Sequence, residues 1–215
     1  GAMQERFLQL LEDPAIRIIN LFRNHGVRAG ASLAHPHAQM IATSIAPPHI
    51  LNQVHYAKKW HASNGQCVYC TALAEELSQK ERIIVETEHF VAWAPFASRS
   101  PFETRIQPKR HLSIFGQISA EEVSDFGHIL REVLGKIYTA LGDPDYNYIL
   151  RSALVGGNGD HDRSDLPYYH WYMVIIPKIS RAAGMEIGTG IYINPVAPEA
   201  AASILRSAEP PSLAV

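Results

Sequence analysis

One apolar stripe constrains this chain more than any other feature. Val123, Phe126, Ile129, Leu130, Val133, Leu134 and Ile137 recur at helical spacing through about Leu141. Ser119 stands just before them, with Glu121 and Glu122 in the first turn, and Asp143-Pro144 ends the run. That pattern of cap, acidic first turn and three-to-four spacing predicts a long amphipathic helix. Around it lie short runs with β-branched or aromatic positions: Ile83 to Glu86, Phe90 to Pro95, Phe102 to Gln107, Tyr146 to Leu150 and Tyr168 to Ile176. Polar or proline-containing breaks separate the first three, which reads as an antiparallel meander. The fold class expected is α+β, an antiparallel sheet with helices.

The remaining elements are shorter. Glu5 to Arg23 reads as a helix followed by a strand, broken at Asp13-Pro14. Gln39 to Ile45 suits a strand, and one that began near Ala34 would carry His35, His37 and Gln39 on one face. Ala46-Pro47-Pro48 is a firm stop, placing a boundary between a unit at 4–48 and one at 49–209. Helices are expected over Ile50 to His61, Thr71 to Lys80 and Pro198 to Leu205. A glycine-rich loop at Gly156, Gly157 and Gly159, a glycine-rich turn in the tail, a strand at Ile191 to Ile193 and a frayed end at Pro210 to Val215 complete the reading. Gly1, Ala2 and Met3 read as a cleavage scar, and nothing upstream of the first helix is present to cover Phe7, Leu8 and Leu11.

Composition narrows the function. The 215 residues are 47% apolar and 19% charged, with net charge -2, which excludes a disordered acidic tail and a basic nucleic-acid wrapper. Lys and Arg number 19 against 21 acidic residues, and no basic stripe is interleaved with stacking aromatics, so nucleic acid is not an expected partner. No apolar run reaches the roughly 20 residues that cross a bilayer. Two cysteines alone rule out a secreted disulfide framework and favour a cytoplasmic, reducing compartment.

Those cysteines are Cys67 and Cys70, a Cys-x-x-Cys pair. Such a pair is a metal clip, a redox pair or two ordinary thiols beside a helix. A closed zinc site needs two further ligands. His111 and His170 could return to the cysteine loop across a folded sheet, with His161 as a substitute and His61 and His89 as surface residues.

The second cluster runs from Asn24 to Gln39 and holds Gly26, Arg28, Gly30, Ser32, His35, Pro36 and His37. A neutral imidazole can attack phosphorus without first losing a high-pKa proton, and can then leave again. His37 is therefore a candidate nucleophile, and His35 a metal ligand or a loop-orienting group. Gln39 and Ser32 could donate to phosphate oxygens, and Gly30 lets backbone approach them. Turn and strand packing are the plain alternatives, and Asn24 could simply cap the turn.

Asn24 through Gln39, followed by Met40-Ile41-Ala42-Thr43, resembles the active-site segment of the galactose-1-phosphate uridylyltransferases of the histidine-triad superfamily. The likeness extends through Cys67-Val68-Tyr69-Cys70, Pro95-Phe96, Pro101-Phe102-Glu103, Pro108-Lys109-Arg110-His111, His170-Trp171 and Glu186-Ile187-Gly188-Thr189-Gly190. It implies that His37 forms a covalent nucleotidyl intermediate from a nucleotide sugar. Gln39 assists, and Asn24, Gly30, Ser32 and Gln39 bind substrate, while a backbone carbonyl selects the tautomer of His37. It implies zinc at Cys67, Cys70, His111 and His170, and His35 as a ligand of a first metal site.

By the same resemblance, residues 4–48 are part of a first histidine-triad-like repeat and 49–209 a second, non-nucleophilic one, with Tyr168, His170 and Tyr172 where alternating histidines would stand. The family's upstream half-repeat, with another Cys-x-x-Cys and much of the nucleotide pocket, is not in this sequence, so weak or no turnover is expected from this stretch alone. A homodimer is also implied. UDP-glucose with galactose 1-phosphate is the first substrate pair. Alternatives are an ADP-glucose phosphorylase, in which inorganic phosphate is the acceptor, and a noncatalytic zinc-stabilised nucleotide-binding domain.

Overall fold

The computed structural model describes residues 1–155 and 166–212. Its centre is one antiparallel sheet of seven strands among the described residues: β1 (Ile18–His25), β2 (Gln39–Thr43), β3 (Ile83–Glu86), β4 (Phe90–Trp93), β5 (Thr104–Pro108), β6 (Tyr146–Arg151) and β7 (Tyr172–Pro177). They lie in the order β2-β1-β6-β7-β5-β4-β3. The sheet is thus continuous from residues before Pro48 to residues after it, through the β1–β6 ladder that pairs Asn24 with Asn147.

Among the described residues there are six α-helices: α1 (Ala2–Leu11), α2 (Pro48–Asn64), α3 (Val68–Gln79), α4 (Ala120–Leu141), α5 (Gly184–Thr189) and α6 (Pro198–Ser207). The long helix α4 forms as its sequence requires. Ser119 Oγ accepts from the Glu122 amide, and the Glu122 carboxylate accepts from the Ser119 amide at 2.7 Å. Two otherwise orphaned N–H groups are satisfied at once. Its stripe buries Phe126, Ile129, Val133 and Ile137.

The alternation of β4 explains why the sheet is covered on both faces here. Phe90 and Ala92 join the main core with Phe126, whereas Val91 and Trp93 join Leu73 of α3 on the opposite side. Period-two geometry allows no other division. Trp171 anchors the main core, ringed by Phe90, Phe115 and Phe126 at centroid distances of 5.3 to 5.9 Å. The edge at β3 is covered by α6, whose Arg206 donates to the Lys80 and Glu81 carbonyls.

Four local expectations are corrected. Phe7 and Leu11 are not left uncovered: α1 lies on the turn at Phe115–Gln117, with Phe7 edge-on to Phe115 at 5.6 Å. The strand β2 begins at Gln39 and not near Ala34, because Pro36 has no N–H to give a ladder. His35 and His37 therefore sit in the loop before it. The glycine-rich turn of the tail is the helix α5, whose Glu186 carboxylate accepts from the Ala183 amide at 2.9 Å and the Ile193 amide at 3.3 Å. Residues 191–193 form no strand, since the second of those bonds ties Ile193 to the helix and not to a sheet. The Gly156–Gly159 loop and His161 lie outside the described residues. No described helix is long and apolar enough to cross a membrane.

Candidate functional site

Two clusters of chemistry-bearing side chains result. The first is the loop between β1 and β2. It starts at Gly26, whose φ of 81° and ψ of 161° belong to a region that side chains rarely enter. A Cβ at Gly26 would also collide with the Asp145 carboxylate. That carboxylate accepts from the Arg28 amide, so Asp145 holds the loop by the space glycine leaves. A short turn follows, in which the Gly30 amide donates to Val27 O at 3.0 Å and the Ala31 amide to Gly26 O at 3.0 Å. The Gly30 N–H is thereby already engaged within the loop.

Asn24 and Asn147 face each other across the β1–β6 ladder. Asn147 Nδ2 donates to Asn24 Oδ1 at 2.8 Å and to the Ala29 carbonyl at 2.8 Å. Asn24 Nδ2 in turn reaches the Gly30 carbonyl at 3.4 Å. Directly paired residues of an antiparallel ladder point to one face, so the pairs Phe22–Gln39 and Asn24–Asn147 put Gln39, Asn24 and Asn147 on the same side of the sheet. Ser32 and His35 are exposed in the loop, and His37 and Gln39 are half-buried.

Within the loop, His37 Nδ1 lies 2.9 Å from the His35 carbonyl oxygen. A carbonyl only accepts, so Nδ1 carries a proton, and in the neutral ring the lone pair is on Nε2. The loop itself thus turns the ring and defines the tautomer of its neutral form.

Asp145 and Asn147, the residues that brace this loop, were not singled out from the sequence. The available signal was a pair of polar residues at i and i+2 around the start of a predicted strand, which is common on any half-solvated sheet edge.

The second cluster gathers Cys67, Cys70 and His111, whose ligand atoms all lie within 4.8 Å of one another. The N-cap and first turn of α3 supply the sulfurs, and the chain just after β5 supplies His111. His111 Nδ1 is 3.1 Å from Cys70 Sγ, and its Nε2 donates to the Leu166 carbonyl at 3.1 Å, which orients the ring. His170, fully buried just before β7, places Nδ1 3.3 Å from Cys70 Sγ and 3.0 Å from the Gln107 amide nitrogen. His35 is not part of this group.

The donor set fits zinc. Zn–S near 2.3 Å and Zn–N near 2.0 to 2.1 Å imply a sulfur-to-nitrogen edge of about 3.5 Å in a tetrahedron, close to both observed separations. The protonation states fit as well. The hydrogen bond with Cys70 holds the Cys67 thiol down to about 4, against the opposing effect of burial and with help from His111. Burial first, and then the neighbouring His111, hold His170 down to about 3, so its ring is neutral. Two sulfurs and one imidazole converge within 4.8 Å of one another with no carboxylate among them, and His170 lies beside Cys70 outside that group, as a fourth ligand would need to close a structural site.

No family model matches the chain. Several curated proteins resemble it over most of its length, among them the following two. ADP-glucose phosphorylase of Arabidopsis thaliana is 38% identical over 205 residues, covering 95% of this chain and 56% of that protein. Galactose-1-phosphate uridylyltransferase of Thermotoga maritima is 35% identical over 211 residues, covering 95% of this chain and 64% of that protein. A crystal structure of the Arabidopsis thaliana ADP-glucose phosphorylase with bound ADP-glucose matches with a TM-score of 0.86 at 37% identity, over 97% of this chain and 65% of the other. The chain spans less than two thirds of the length of these relatives.

Proposed function

Since the chain belongs to the galactose-1-phosphate uridylyltransferase family, in the branch that includes ADP-glucose phosphorylase-like proteins, we propose that it carries the nucleophile of a nucleotidyl transfer on nucleotide sugars. His37 is that nucleophile. The observation that carries this reading is the 2.9 Å bond from His37 Nδ1 to the His35 carbonyl, which leaves Nε2 free to attack.

In the first half-reaction Nε2 forms a bond to the α-phosphorus of the nucleotide sugar, and the phosphorus–oxygen bond to the sugar phosphate breaks. Sugar 1-phosphate leaves with the electron pair, and the nucleotidyl group stays on the histidine. In the second, an oxygen of a phosphorylated acceptor attacks the same phosphorus and the imidazole departs as the leaving group. The positive charge that the ring acquires in the adduct is stabilised by the Nδ1–H bond to His35 O, which strengthens as that hydrogen becomes more acidic. Gln39 and Ser32 are assigned to the phosphate oxygens. Asn24, itself held by Asn147, positions the loop at Gly30.

With UDP-glucose as donor and galactose 1-phosphate as acceptor this chemistry is uridylyl transfer. A second acceptor, inorganic phosphate with ADP-glucose as donor, is favoured by the 38% identity to ADP-glucose phosphorylase. Both use the same intermediate.

Cys67, Cys70, His111 and His170 are assigned to zinc, and His35 to a separate metal site. Zinc at the four-ligand site, when bound, would supply cross-linking rather than reaction chemistry: it would tie the start of α3 to the end of β5 and the start of β7. The test of the whole reading is intact mass measurement after incubation with UDP-glucose or ADP-glucose, on this chain and on a form spanning the length of its relatives, with fragmentation of any adduct. A uridylyl or adenylyl group on His37 supports it. Zinc binding with no adduct in either form would favour a noncatalytic nucleotide-binding role.

A further inference from the structure

A cavity of about 630 Å³ opens between α2, α3 and the β5 strand, where none of the residues assigned above has its side chain. Its volume is in the range of small-molecule sites. Tyr56 and Trp60 of α2 and Tyr69 of α3 supply aromatic surface, and much of it is open: Tyr56 is 68% exposed and Trp60 is 40% exposed. Lys59 and Arg105 are the charged residues of the lining, which holds no carboxylate.

Arg105 is a fixed cation. Its guanidinium lies over Tyr172 at 4.2 Å and Trp93 at 5.7 Å, and among the described residues it has no ion-pair partner. Two lining residues carry a buried polar atom without a hydrogen-bond partner among the described residues, Oε1 of Gln53 and Nε of Arg105. A buried donor and a buried acceptor left unmatched each cost free energy until something meets them.

We propose that this groove binds a flat aromatic anion, with the ring stacked against Trp60 and Tyr56, the anionic group at Lys59 and Arg105, and a ring or sugar N–H or O–H at Gln53. Aromatic faces attract flat rings, and a cation pair in an apolar wall selects an anion over a neutral analogue. Nucleoside phosphates and aromatic carboxylates share that chemistry. The site is independent of the His37 reading.

Trp60 is the reporter, since of the three tryptophans Trp93 and Trp171 are buried. Adenosine 5'-monophosphate is titrated against the full chain by tryptophan emission and by calorimetry, beside adenosine, ribose 5-phosphate and indole-3-carboxylate. Saturable quenching by the monophosphate is expected. Adenosine and ribose 5-phosphate should each bind about tenfold more weakly, as loss of one charge-assisted contact or of stacking requires. Binding of indole-3-carboxylate as tight as that of the nucleotide would assign the site to aromatic carboxylates. In calorimetry, Trp60→Leu and Lys59→Gln, both at exposed positions, should each reduce the affinity about tenfold, and His37→Asn should leave it unchanged. Absence of saturable binding by either aromatic anion, affinity that neither groove variant moves, or binding lost with His37→Asn would overturn the proposal.

Discussion

Asn147 donates to Asn24 Oδ1 and to the Ala29 carbonyl, each at 2.8 Å, and so ties the loop that carries the candidate nucleophile to a strand more than a hundred residues away. Both contacts need a donor. Asn147→Ala is expected to destabilise the protein by about 1 to 3 kcal/mol in urea unfolding, because the Ala29 carbonyl and Asn24 oxygen lose their partner. Asn147→Asp, nearly isosteric, should be no better, since it sets a carboxylate against two acceptors. Full stability in the Asp variant would mean that the bonds run otherwise than assigned.

Gly26 and Asp145 form the other brace. Gly26→Ala meets both a positive φ of 81° and the Asp145 carboxylate, and should cost at least about 2 kcal/mol. Removing the carboxylate relieves the collision without relieving the backbone. The double variant Gly26→Ala, Asp145→Ala is therefore expected to be more stable than the sum of the single effects, by roughly 1 kcal/mol in a double-mutant cycle. Simple additivity would show that the collision does not matter.

The cysteine cluster makes a prediction about metal. The purified chain should hold close to one zinc, and Cys70→Ser, which alters the sulfur lying near both His111 and His170, should abolish it and lower the melting temperature. A chelator should do the same to the unaltered chain, by removing the clamp between α3 and the sheet. Zinc content unchanged by Cys70→Ser would remove the site.

Acid sensitivity should trace in part to Glu122. Burial alone would raise its pKa, but the Arg110 guanidinium at 2.8 Å and the Ser119 amide more than offset this, and its carboxyl stays below the ordinary value. A carboxyl depressed in the folded state stabilises the protein fully above its unfolded pKa, near 4.3, and the contribution fades as pH falls toward the folded pKa. Glu122→Gln keeps an acceptor for the Ser119 amide but loses the charge. It should cost about 1 kcal/mol at pH 7 and progressively less as pH falls through the folded-state value, so its urea midpoint falls less on acidification than that of the unaltered protein. Arg110 is more than half exposed, which keeps this figure small.

What could be read in advance followed local rules. The Ser119–Glu122 pair announced α4 because a capping box is complete within four residues, and β4 could be placed from its own apolar run. The Cys67–Cys70 pair was visible as a ligand pair, but its closure by His111 depends on where β5 ends, 41 residues on in sequence. The loop conformation was less legible. Alternation of His35, His37 and Gln39 suggested a strand, and strand pairing is decided by which N–H groups exist and what lies opposite; Pro36 and an edge position settled it. The α5 segment looked like a turn from its glycines, and became a helix through Glu186 bonds to Ala183 and Ile193, one of which spans seven residues. Asn147 and Asp145 acquire meaning only from the β1–β6 ladder, which no local pattern encodes.

The central claim is that His37 Nε2 takes the nucleotidyl group. The direct measurement is intact mass followed by fragment sequencing after incubation with UDP-glucose or ADP-glucose, in a form spanning the length of the relatives, for the unaltered protein and for His37→Asn. One nucleotidyl group on His37, absent from the variant, is the expected result. Undiminished adduct in His37→Asn, or an adduct mapped to another residue, would contradict it.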